Sequence, residues 1–443
     1  MTYIQGRGNL RLEEAEEVIE VESDFNLNFN INNVWDKNRN DISVSTNSVL
    51  MCRELPVYPW NFEGVTTDGK TFSAKKIVLV NQNENCTQAD IDINLKFDIG
   101  EIVIGNNLEC EMLEYYIPNF VIGFDEMTES FGIITRNKTQ FSLSYNQETI
   151  SVEILENNNL VTRMTEIERQ NEDVFTVKIV LRKESGRLNL DEGNELMDLI
   201  LDLCSIAYGG KVRWGTVKGY SNNAELFRII RNGSFAPLKP HRQLIEVKYP
   251  RGLSRFVQSC FPTYVSLTTE SRSSLKKISA GIQLSASNLI FPIPYIVLGS
   301  VIEEFVSEEL EETVSGYLGR AQRRGIYSEF KLFLEENVIP LIGLEDVNDF
   351  DDSGMKQKWN GLLTRNLRSR IINLLDTFEV EYDAEKVRSF VRNRNNAAHG
   401  NYEYGSNDYL VWSQMVALLE QVIMKKLDYR GSYYDWSVSP PNL

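Results

Sequence analysis

At 443 residues the chain exceeds the ~250–300 residues at which a single hydrophobic core stops growing, so two or more domains are expected. Its 42% apolar and 25% charged residues are those of an ordinary globular protein, and its net charge of −17 excludes broad, sequence-blind adhesion to nucleic acid while leaving room for a local basic site. Five scattered cysteines (Cys52, Cys86, Cys110, Cys204, Cys260) without any CxxC exclude a disulfide frame and a zinc site, and read as reduced thiols of a cytoplasmic protein.

The opening stretch, MTYIQGRGNLRLEEAEE, lacks the basic-then-apolar order of a signal peptide, and its acidic residues do not fit a transit peptide. Residues 12–24 carry seven acidic side chains and no basic one, a surface that repels phosphate and points to a protein partner for this half of the chain. Strand signals follow. FNLNFNI places Phe25, Leu27, Phe29 and Ile31 at alternate positions, as IDINLKFDI does for Ile91 to Ile99 and VFTVKIVL for Phe175, Val177, Ile179 and Leu181. A period of two predicts strands with one buried and one wet face. Asp68-Gly69 is a hairpin signal. Leu196, Leu199, Ile200 and Leu203 share one face of a helix expected over 194–208. Residues 1–245 thus read as a β-rich domain, a sandwich or curled sheet.

From about residue 255 the period becomes helical, and 255–443 reads as an all-α bundle, giving an α+β chain overall. The most apolar run, LIFPIPYIVLGSVI at 289–302, is shorter than the ~20 residues of a membrane span and holds Pro292 and Pro294. A long helix is expected over 355–378, with Trp359, Leu362, Leu363, Leu367, Ile371, Leu374 and Leu375 on one stripe. Asp383 is the expected N-cap of the next helix and Asp408 of the last.

The helix after Asp383 runs into VRNRNNAAHGN, which holds His399, one of two histidines in the chain. At about 100° per residue, Arg388, Arg392, Asn395 and His399 form one stripe. Val387, Phe390, Val391 and Ala398 lie on the neighbouring face that packs, and Gly400 suits the left-handed position past a helix end. Cleaving RNA without a metal requires proton transfer at two oxygens and neutralisation of the charge growing on phosphorus. Histidine supplies an acid or a base near neutral pH, arginine holds phosphate oxygens, and asparagine orients either. Residues 355–400 hold nine Lys/Arg against five Asp/Glu, a local excess of +4. Taken alone, the same spacing fits a solvated helix end. Glu303, in IVLGSVIEEF, is a candidate acidic group near the cleft, and Arg365, Arg368 and Arg370 could extend an RNA track. His241 reads as a surface-loop residue, and KVRWGTVKGY at 211–220 as a strand with an exposed face.

The order of these segments narrows the choice. Residues 290–440 resemble the HEPN family, most closely its ApeA-like branch. The matching features are the IVLGSVIEEF helix, the helix at 355–378, RNNAAHGN with Arg394, Asn395 and His399 in the family's Arg-Asn-x3-His pattern, the YLVWSQMVALLEQVIMKKL helix and the LDYRGSYYDW tail. The first half is more loosely similar to the β-rich domain that precedes the bundle in ApeA-like proteins. The resemblance implies a metal-independent endoribonuclease of antiphage defence by abortive infection, with no cofactor. It implies RNA, such as tRNA, as substrate, a phage structural protein as trigger sensed by the first domain, and a homodimer or larger even-numbered assembly in which two motifs share a cleft. It implies Arg394, Asn395 and His399 as catalytic, with Arg392 and Arg388 as further phosphate contacts. On a straight helix, however, Arg394 lies roughly 140° from His399 whereas Arg392 shares its face, so pattern and geometry nominate different arginines. A catalytically silent module that scaffolds a nucleotidyltransferase antitoxin is the competing reading, and a sensor in which the bundle serves only to dimerise is a third.

Overall fold

The computed structural model describes residues 2–13, 18–29, 34–35, 41–46, 60–86, 91–98, 100–105, 109–130, 133–156, 173–231, 240–287, 289–310, 320–337, 339–342 and 365–434. The chain forms two compact units, Met1–Pro262 and Thr263–Leu443. Strands dominate the first and helices the second, an α+β protein in which residues 246–262 belong with the strands.

The first unit is built on antiparallel strands. In chain order they are β1 (Thr2–Glu13), β2 (Val18–Phe29), β3 (Val34–Trp35), β4 (Asp41–Thr46), β5 (Trp60–Thr66), β6 (Thr71–Cys86), β7 (Ile91–Asp98), β8 (Glu101–Ile104) and β9 (Glu109–Cys110). Then come β10 (Met112–Pro118), β11 (Glu126–Ser130), β12 (Ile133–Tyr145), β13 (Glu148–Glu156), β14 (Asp173–Lys183), β15 (Leu188–Asn189), β16 (Thr216–Ser221) and β17 (Ala224–Arg231). One sheet runs β11-β12-β13-β14-β10-β16-β17-β8-β6-β5-β1-β2-β4-β7, and β6 pairs back onto β7. That last pairing closes β6, β5, β1, β2, β4 and β7 into a barrel, more than the curled sheet expected. β6 can do this because it is 16 residues long: Thr71–Ile77 pairs with β5 and the stretch from Val78 to Cys86 pairs with β7, with an irregularity at Leu79/Asn81. The barrel is filled by Leu10, Phe25, Trp60, Phe62, Phe72 and Phe97, each ring contributing roughly 2 kcal/mol through burial. Phe25 stacks on Phe72 at 4.2 Å, and Gly6 is needed beside it, since a Cβ there would meet the Phe25 ring at 2.6 Å.

The Asp68-Gly69 turn forms between β5 and β6 as expected, with Gly69 at φ +82°. Two expectations need correcting. Helix α1 spans Leu190–Tyr208 and so begins four residues before 194, where the Asn189 side chain accepts from the Asp191 N–H. Leu196, Leu199, Ile200 and Leu203 are buried on its inner face. β14 does not have one wet face. A bulge between Ile117 and Pro118 skips Thr176, so Phe175 turns towards Tyr116 and the barrel core while Val177, Ile179 and Leu181 face the other way. The first unit also contains most of α2 (Gly252–Ser266).

Among the described residues the second unit is all helical: α3 (Thr269–Ala286), α4 (Ile293–Glu309), α5 (Arg320–Asn337), α6 (Ile339–Ile342), α7 (Leu367–Thr377), α8 (Ala384–Ala398) and α9 (Asp408–Lys426). Helix α4 is central, packing against α3, α7 and α8. The uninterrupted helix expected over 355–378 does not form. Asn366 has an extended backbone and caps Ser369 with its side chain, so the described helix starts at Leu367. Leu367, Ile371, Leu374 and Leu375 are buried as expected, whereas Trp359, Leu362 and Leu363 lie outside the described residues. Among the described residues no helix is long and apolar enough to cross a membrane.

Candidate functional site

Helix α8 starts at Asp383, whose carboxylate accepts from the Glu385 N–H at 2.9 Å, and Val387 and Phe390 bury its inner face. Ala398, expected to pack with them, is exposed at the last residue of the helix. His399 caps the end: its N–H donates to the Asn395 carbonyl at 3.0 Å, and Gly400 turns the chain at φ +73°. The Asn401 N–H then closes on the Asn396 carbonyl at 2.9 Å, which fixes where the chain leaves the helix.

Arg388, Arg392, Asn395 and His399 are all exposed, as a single stripe requires. Arg388 makes a long ion pair with Glu385 at 3.5 Å, two-thirds exposed on each side and therefore weak. Neither Arg392 nor the His399 imidazole meets a side-chain partner among the described residues.

Arg394 has a different setting. Half-buried against α4, its Nη2 pairs with Glu303 at 2.9 Å and its Nη1 donates to Asn395 Oδ1 at 3.1 Å. Gly299 makes this approach possible, because a Cβ there would lie 2.6 Å from Arg394 Cγ. The structure therefore joins Arg394, Asn395 and Glu303, and leaves Arg392 and His399 on the open face. Glu304, next to Glu303, is taken instead by Lys277 at 2.6 Å. Arg370 reaches Ser307 of α4 at 3.1 Å and, like Arg365 and Arg368, is half-buried, so these three do not form an open basic track.

Sequence reasoning missed a buried hub beneath this face. Asp408 was expected to cap α9, but Asn407 occupies the cap and makes no side-chain bond there. Instead the buried Asp408 carboxylate turns back and accepts from Tyr402 (2.5 Å), the Gly405 N–H (2.6 Å) and Asn393 Nδ2 (3.1 Å). Tyr295 of α4 donates to the Asp408 carbonyl at 2.8 Å and accepts from Asn393 at 3.0 Å. Burial pushes both tyrosine hydroxyls well above the usual phenol range, with the Asp408 charge adding to the shift. The hub ties α4, α8 and α9 to residues 402–405, the loop directly after His399. Its one signal in the sequence is Asn393, a polar residue three places after Phe390 on the packing side of an amphipathic helix.

In the first unit Cys110, Cys204 and Cys260 are buried thiols outside any disulfide, and burial raises Cys110 to about 11 and Cys204 to about 12. His241 is exposed, as expected. Comparison with family models, with curated proteins and with solved structures finds no match to this chain.

Proposed function

We propose that the helical unit is a metal-independent endoribonuclease of the HEPN type, working through the outer face of α8 and serving antiphage defence by abortive infection. The observation that supports this most is the exposed line Arg388, Arg392, Asn395 and His399, ending at a fixed helix terminus. In the proposed reaction the 2′-oxygen bonds to phosphorus as the bond to the 5′-oxygen breaks. A base takes the 2′-hydroxyl proton and an acid protonates the leaving oxygen, yielding a 2′,3′-cyclic phosphate and a 5′-hydroxyl. His399 is one of these two groups. Arginine neutralises the phosphorane oxygens, with Asn395 orienting Arg394. Because His241, the other histidine, has no arginine at this spacing, a second chain supplies the second proton-transfer group. The β-rich unit is then the sensor, with a phage structural protein as trigger and the cytoplasm as setting; tRNA is the proposed substrate.

The test is cleavage of tRNA by the full-length protein in EDTA, with product ends identified. Cyclic or 3′-phosphate ends are expected, with at least a ~10²-fold loss in His399→Ala. Undiminished cleavage by His399→Ala, or activity that EDTA removes and Mg²⁺ restores, refutes the proposal. A silent scaffolding module is the second reading, and the pairing of Arg394 with Glu303 favours it, since a neutralised arginine is weaker bait for phosphate. That reading expects dimers without cleavage in any condition.

A further inference from the structure

A polar cluster on the first unit stands apart from this chemistry. Leu113 and Tyr115 of β10 lie under α1, where Tyr115 donates to Asn194 at 3.1 Å and Leu113 fills the space left by Gly193. The alternate residues, Glu114 and Tyr116, point to the opposite face of the sheet. There Tyr116 is opposite Lys178 of β14, Glu114 is opposite Lys218 of β16, and Lys218 is in turn opposite Arg228 of β17. Like charges placed directly opposite across strands are destabilising, and more so when half-buried. The Lys218 and Arg228 side chains are only 14% and 13% exposed.

The two carboxylates in the cluster are already committed. Glu114 accepts from Lys178 at 2.9 Å and from the Tyr116 hydroxyl at 3.0 Å, and Tyr220 also bonds it. Both oxygens of Glu225 are held by Arg228, at 2.8 Å each. Lys218 is left 4.0 Å from Glu225 and 4.9 Å from the Tyr116 ring centre, without a hydrogen bond to any described residue. An ammonium carries three donors, and three cations here face two carboxylates within a chain of net charge −17. Burial, followed by the Arg228 charge, holds the Lys218 ammonium below the usual lysine range.

We infer that this face is a binding site for the oxyanion group of a small molecule, a phosphate or a carboxylate, with Lys218 as its principal donor and Arg228 and Lys178 flanking it. The bound group accepts the donors that Glu114 and Glu225 leave unused and relieves the Lys218–Arg228 opposition. The inference is independent of the ribonuclease reading, because no residue of the second unit takes part.

Calorimetric titration of the full-length protein with inorganic phosphate, a nucleoside monophosphate and succinate tests it, on wild type, Lys218→Met and Lys218→Arg. Binding of at least one probe is expected in wild type, with a 10-fold or greater loss in Lys218→Met and retention in Lys218→Arg. The phosphate and succinate arms separate the two oxyanion classes. If Lys218→Met does not fold, Lys178→Gln is titrated in its place, with a smaller loss expected. Absence of binding in wild type for all three probes, or equal binding by wild type and the lysine-removing variant, overturns the inference.

Discussion

Arg392 and Arg394 are two positions apart on α8, yet Arg392 lies exposed on the face of His399 while Arg394 is half-buried and paired with Glu303. Such neighbours should respond unequally to truncation. Under the proposed mechanism, Arg394→Ala costs about 3 kcal/mol in kcat/KM and Arg392→Ala nearer 1 kcal/mol. Equal, mild losses in steady-state kinetics would remove both from the site. Glu303→Gln gives a sharper result, because it returns a full charge to Arg394. RNA binding should tighten, and the slope of log K against log salt should steepen by about 0.7, the value of one added phosphate contact on a single strand. An unchanged slope means Arg394 never meets phosphate. At this scale the sequence was informative about exposure: the stripe at 388, 392, 395 and 399 needs only helical geometry. It was silent about Glu303 meeting Arg394, since that contact depends on Gly299 and on how α4 crosses α8.

Helix ends show where local rules hold and where tertiary contacts override them. Asp383 caps α8 and Gly400 ends it as their chemistry predicts, because both use only bonds to adjacent backbone. Asp408 has the right residue type for a cap, but the donors of Asn393, Tyr402 and Gly405 compete for it and win, none of them visible to a local rule. Asn366 is the converse case. The apolar stripe across 355–378 predicts one helix, whereas the capping side chain of Asn366 sets the start of the described helix at Leu367. Removing the hub carboxylate should therefore cost far more than removing a cap. Asp408→Ala strands three donors in a buried setting and should lower unfolding free energy by about 3 kcal/mol or more, against about 1 kcal/mol for Asn366→Ala. Urea denaturation of both variants measures the difference, and a loss below ~1 kcal/mol for Asp408→Ala would mean that water replaces the carboxylate.

For the whole molecule, the switch from a period of two to a helical period already separated a β-rich half from a helical half, because burial on one face leaves a repeat in any chain. The closed barrel left no such trace: it depends on one long strand pairing with three neighbours, β5, β8 and β7, and alternation is the same however many partners a strand has. Assembly is likewise unwritten in a single chain, but the proposed chemistry requires it. An active site with one histidine per chain should be found only in dimers or larger even-numbered assemblies, related by a twofold axis. Native mass spectrometry of the cleaving species decides this, and a fully active monomer would exclude a shared site. The barrel has one more effect. A sheet path normally ends in two edges with unpaired backbone, and each invites a foreign strand. By pairing β7 with β6 the chain seals one of them, so the described path ends openly at β11 alone. Unwanted fibril growth, or recognition by strand addition, can begin there in one orientation rather than two.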